Sequence, residues 1–136
     1  MKIDTHKNLV CMLVVAFVIT GVPIVAEAVT EIVATGKFEG RSDHEVSGGV
    51  TLLKTDQGYV VLLEADFSLD KAPSPTLGFG SNGYKADTKF SKLNSKKGLQ
   101  AYKIPGEINP AAFTEIWVWC KKFDVPLGMA KLKKAP

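Results

Sequence analysis

The chain has 136 residues, 46% of them hydrophobic, with 17 Lys and Arg against 14 Asp and Glu and a net charge of +3. That is enough for one domain with one core, and a charge so small and scattered excludes an electrostatic case for nucleic acid. Two cysteines exclude a disulfide-stapled mini-protein, so stability has to come from packing.

The chain opens on a targeting pattern. Met1–Lys7 is polar and carries Lys2 and Lys7, Leu9–Ala26 is apolar apart from Thr20, and Ala26-Glu27-Ala28 has the small-x-small form that signal peptidase reads. A positive n-region, an apolar h-region and an A-x-A site predict a secretory signal peptide at residues 1–28 and an exported domain at residues 29–136, periplasmic, extracellular or on the cell surface. Left uncut, the apolar stretch nearly spans a bilayer core of about 30 Å and would be the protein's only membrane contact. Removal of residues 1–28 takes away Cys11 and His6, so Cys120 is the one thiol and His44 the one imidazole of the exported domain. The net charge is unchanged, because Lys2 and Lys7 leave together with Asp4 and Glu27.

From Val29 onward the texture predicts β structure. Thr30–Ala34 reads as a short strand, and Gly36-Lys-Phe-Glu-Gly40 as a Gly-bounded turn or bulge with Phe38 turned inward. Arg41–His44 is a polar loop. In His44–Leu52 the residues Val46, Gly48, Val50 and Leu52 share a face by period two, and Thr55–Gly58 closes a hairpin. Tyr59–Phe67 is apolar on both faces until Glu64, which suits a central strand. Pro73 and Pro75 bar Leu69–Pro75 from the middle of a sheet. Thr76–Phe79 is a short strand, Gly80–Gly83 a turn, Lys89–Leu93 a further strand, Asn94–Gly98 a basic turn, and Leu99–Ile104 a strand ended by Pro105. Asn109-Pro110 is an N-cap followed by Pro at N1, so one helical turn is expected through Phe113.

Ile116-Trp-Val-Trp-Cys120 is the densest apolar run and predicts a strand covered on both faces. Val125–Leu132, with Pro126 and Gly128, suits an edge or bulged last strand. Turn signals every eight to twelve residues or so, without a long helical period, give an all-β, single-domain β-sandwich of Greek-key or jelly-roll type.

These segments together resemble the DM-thirteen domain family, an extracellular β-rich module found alone in bacterial exported proteins. The resemblance is carried by Gly36-Lys-Phe-Glu-Gly40, by His44-Glu-Val-Ser-Gly48-Gly-Val50, and by Val61–Phe67. Its most specific part is Gln100-Ala-Tyr-Lys-Ile-Pro105 followed by Trp119-Cys-Lys-Lys-Phe123-Asp-Val-Pro-Leu-Gly128-Met-Ala130-Lys-Leu132. It departs from the family around Ala72–Phe79, where Pro73 and Pro75 replace a Gly-Pro-Asp-like turn. The resemblance implies an electron-transfer or redox role, with Cys120 a bare thiol or a ligand for a prosthetic group such as haem, and with a membrane-bound or secreted redox protein as partner.

Read residue by residue, Cys120 is either a small apolar plug sharing parity with Ile116 and Val118, or a redox or ligating thiol assisted by Lys121 and Lys122. His44 is either a loop histidine bonded to backbone or a second cofactor ligand beside Cys120. Two such ligands do not complete a structural zinc site, and no C-x-x-C-H motif attaches a covalent haem. Trp117 and Trp119 face away from Cys120 by parity and are expected in the core. Asp66, Asp70 and Asp124 either cap turns or line a cation site. No Ser-His-Asp order, paired-carboxylate spacing or phosphate-cradling loop supports hydrolase or kinase chemistry. Two readings follow: a redox module centred on Cys120, or a binding or adhesion module that uses its Arg41–His44 and Ala72–Asn82 loops.

Overall fold

A computed structural model describes residues 21–136. Most of the expected signal peptide, residues 1–20, lies outside the described residues. Residues 21–30 carry no regular structure, and among the described residues no helix is long and apolar enough to cross a membrane.

The described strands are β1 (Glu31–Gly40), β2 (Val46–Ser47), β3 (Gly49–Thr55), β4 (Gly58–Leu63), β5 (Ser68–Leu69), β6 (Pro75–Gly80), β7 (Ser91–Lys92), β8 (Gln100–Lys103), β9 (Glu115–Cys120), β10 (Val125–Lys131) and β11 (Lys133–Lys134). They form an antiparallel sheet in the order β7-β6-β9-β10-β1-β3-β4-β8, with β11 also on β1, and a small β2-β5 sheet. The fold is all-β, a sandwich whose halves share one strand. That strand is β1: Glu31–Lys37 pair with β3, while Phe38–Gly40 pair with β10.

The Gly36–Gly40 segment is therefore strand, where the sequence suggested a turn or bulge, and the one register shift of β1 against β3 lies earlier, between Ile32 and Ala34. Its glycines serve close approach instead of chain reversal. A Cβ on Gly36 would lie 2.5 Å from the Lys131 carbonyl oxygen, at the point where β1 passes from β11 to β10. Leu132 sits at that changeover, and its N–H donates to Thr114 O at 2.8 Å. Phe38 is buried, as its inward setting requires, and meets Phe67 edge to face at 5.4 Å.

The hairpin at Thr55–Gly58 forms as expected, and the Asn109-Pro110 start gives a 3-10 turn whose Asn109 Oδ1 accepts from Ala111 N at 3.2 Å. The Tyr59–Phe67 strand is shorter than expected, since β4 ends at Leu63 and lies one strand from the sheet end. Val125–Leu132, expected as an edge or bulged last strand, is bulged between Pro126 and Gly128 but interior, paired with both β9 and β1. The Lys89–Leu93 strand shrinks to Ser91–Lys92. Between the halves lies one core, in which Phe79 stacks on Phe90 and Phe113 at centroid distances of 5.3 and 5.7 Å.

Strand parity positions the site. Ile116, Val118 and Cys120 of β9 point into this core, whereas Trp117 and Trp119 point to the outer face of the sheet. Trp117 is nonetheless buried, as expected, whereas Trp119 is only half-buried, so the core expectation fails for Trp119 alone. Tyr84 covers them, stacked on Trp119 at 4.1 Å over the bare backbone of Gly78, where a Cβ would meet the Tyr84 ring at 2.7 Å.

Candidate functional site

Cys120 ends β9, opposite Pro75 of β6 and Val125 of β10, and is 1% exposed. Its inward parity sets the burial. The chain then turns through Lys121–Asp124, with Asp124 at φ 52°, so nothing of β9 extends past the thiol. The lid over it is the segment 70–74 between β5 and β6. Cys120 Sγ donates to the Pro73 carbonyl at 3.2 Å, and Lys121 N donates to Ser74 O at 3.2 Å. Ala72 is buried, but Pro73 and Ser74 are exposed, so the cover is one peptide layer thick. Pro73 and Pro75 are what the sequence offered against a central strand here, and they leave this stretch as a strap across the sheet end.

His44 holds the other end of the same strap. Ser42 and Asp43 take left-handed backbone at φ 53° and 61°, which turns the loop back so that His44 N donates to Arg41 O at 3.0 Å. Gly40 makes room for the His44 carbonyl, since any Cβ there would overlap it. The imidazole Nδ1 then lies 2.9 Å from Asp70 Oδ1, and Asp70 Oδ2 accepts from Glu45 N at 2.9 Å. His44 thus bonds a carboxylate and not the backbone. His44 and Cys120 share no hydrogen-bond partner; they fasten opposite ends of residues 70–74.

Desolvation pulls the Asp70 carboxyl upward, but the Glu45 N–H, the His44 bond and charge, and the Lys96 charge outweigh it and hold Asp70 below its ordinary 3.8. A depressed carboxylate contributes stability above its unfolded value and loses it as pH falls through its folded value. Asp70→Asn is therefore expected to be less stable than the parent at neutral pH, with the gap closing in acid below 3.8, as read by urea melts across pH. A gap that stays constant with pH would show that the carboxylate does not anchor the strap.

The other acids do not converge. Asp66 accepts from Gly49 N and Asp124 from Trp119 Nε1, each at 2.9 Å, and among the described residues no group of three or more His, Cys, Asp and Glu side chains is placed to hold a metal ion. Nor do the residues at Cys120 fit a haem in this arrangement. The thiol faces a carbonyl beneath the strap, and the adjoining cleft of about 380 Å³ is bordered by Lys92, Lys121 and Lys122. A haem ligand needs its sulfur open to the pocket, and Cys120 is 1% exposed with Sγ turned to the Pro73 carbonyl.

Sequence reasoning reached Cys120 and His44 but not their joint hold on the strap. It also missed Tyr84 and the exposure of Phe123, 63% at the β9–β10 turn. The only available signal for Phe123 was its place in a polar turn, after Lys121 and Lys122.

A model of the family described as Electron transfer DM13 matches residues 37–132. No curated protein and no solved structure matches the chain.

Proposed function

The chain belongs to the Electron transfer DM13 family, whose role is a redox one, and from that premise we propose that its electrons pass through the thiol of Cys120 in an exported setting. The observation that carries this reading is the cover itself. Cys120 joins the core at a strand end, where the segment over it is exposed at Pro73 and Ser74 and is fastened by His44–Asp70.

When the strap lifts, the thiol gives its proton to water and the thiolate attacks a disulfide of a membrane-bound or secreted partner. An Sγ–S bond forms, the partner's S–S bond breaks, and the departing sulfur leaves as thiolate with the electron pair. A dithiol donor then attacks the Cys120 sulfur, which releases the partner's remaining sulfur as thiolate. The donor's second thiol attacks the new mixed disulfide, which releases Cys120 as thiolate and leaves the donor as an intramolecular disulfide. Lys92, Lys121 and Lys122 line the cleft that borders the strap at Ser74. The version in which Cys120 and His44 hold a prosthetic group requires the strap to leave both residues.

The test is incubation with oxidised glutathione followed by peptide mapping. A mixed disulfide at Cys120 is expected, with none at that peptide in Cys120→Ser, whose hydroxyl can still donate to Pro73 O and so keep the fold. No adduct on the folded protein would favour the binding or adhesion reading, in which partner binding survives the substitution. An absorption spectrum of the natively exported protein before and after dithionite checks the prosthetic-group version: a band that shifts on reduction would replace the bare-thiol mechanism.

A further inference from the structure

Three adjoining depressions, of about 380, 200 and 110 Å³, lie on the outer face of β7, β6 and β9, and all three border Thr76 and Lys121. Lys89, Lys92, Lys121 and Lys122 line them, all exposed, and among the described residues none of the four is ion-paired. The one carboxylate on their border is Asp124, and it accepts from Trp119 Nε1 at 2.9 Å. A chain with net charge +3 therefore collects four free cations on one face. Beside them Phe123 stands 63% exposed, with the Lys122 ammonium 5.4 Å from its ring centroid. A phenylalanine gains nothing from water at a turn tip, whereas a bulky aromatic among rim charges is what anchors a protein interface.

We propose that this face docks an acidic protein surface, with Phe123 entering an apolar spot on the partner and the four lysines meeting its carboxylates. The proposal rests on the redox reading only for the partner's role: the docking face includes Ser74 and Pro75, so a bound partner lies against the strap over Cys120. Lysine point charges suit brief, steered encounters, the small-interface regime of redox partners. They suit phosphate recognition less, since that favours the bidentate fork of arginine, and the chain's single arginine, Arg41, lies elsewhere.

The experiment is amide NMR titration of the full chain with an oligoglutamate peptide containing one leucine. Shifts are expected to concentrate at Thr76, Lys92, Lys121, Lys122 and Phe123, to weaken with salt, and to need at least about tenfold more peptide in K92E/K121E/K122E. K54E/K103E, at the opposite end of the sheet, is expected to bind as the parent does. Shifts spread over all lysines, an equal loss in K54E/K103E, or binding at these lysines to phosphatidylglycerol vesicles but not to the peptide would each overturn the proposal. The two readings fail separately. Cys120→Ser keeps the docking if this face is right, and Phe123→Ala, which weakens the docking, still forms the glutathione adduct if the thiol chemistry is right.

Discussion

Phe79→Ala is expected to lower stability by about 3–5 kcal/mol, a large share of the roughly 5–15 kcal/mol that holds a small domain together. Phe79 is fully buried on β6, and its ring is stacked between Phe90 and Phe113. Truncation leaves a cavity that cannot collapse, because β6 is pinned on both sides by β7 and β9 and its own backbone is engaged at this residue. Phe79 N donates to Thr88 Oγ1 at 2.7 Å, and Lys85 N donates to Phe79 O at 2.9 Å. Urea denaturation reads the effect as a lowered midpoint at unchanged slope. Phe123→Ala is the matched control: an aromatic of the same size, 63% exposed, should move the midpoint by less than about 0.5 kcal/mol. If the two substitutions cost the same, the inward and outward assignments of β6 and of the β9–β10 turn are wrong.

Much of this arrangement was legible in the sequence, because period-two burial is a local rule. Val50, Leu52, Val61 and Leu63 fall inward as the alternation requires, and the Thr55–Gly58 turn sets their register. Legibility ended where a residue's surroundings come from distant chain. The parity of Trp117 and Trp119 was plain, but whether their face was core or surface depended on Tyr84, some thirty residues earlier. The glycines at positions 36 and 40 looked like turn residues because a turn and a close backbone approach use the same side-chain absence. Only the Lys131 and His44 carbonyls decide between them. The site divides in the same way. Cys120 stood out as the unpaired thiol, yet its link to His44 runs through Asp70 and Pro73, and no spacing in the sequence encodes that strap.

In the folded protein Cys120 is expected to react with an aromatic disulfide reagent roughly 100-fold more slowly than in denaturant, because reaction waits for an opening that costs a fraction of the global stability. The opening is local if the strap is the gate. It breaks the Sγ contact to Pro73, the Lys121 N bond to Ser74 and the His44–Asp70 pair, and leaves β9 paired with β6 and β10. So little surface is exposed that the rate should scarcely respond to urea below the unfolding transition. Asp70→Ala, which removes the acceptor for both His44 Nδ1 and Glu45 N, should raise the rate about tenfold while the melting midpoint moves far less. A Cys11→Ser background keeps the signal on Cys120 alone if the N-terminal segment is retained. Should the rate instead follow urea with the full slope of unfolding, and Asp70→Ala change it only in proportion to stability, then Cys120 is reached by global unfolding. It would then be a core thiol, and the electrons of this family member would have to pass elsewhere.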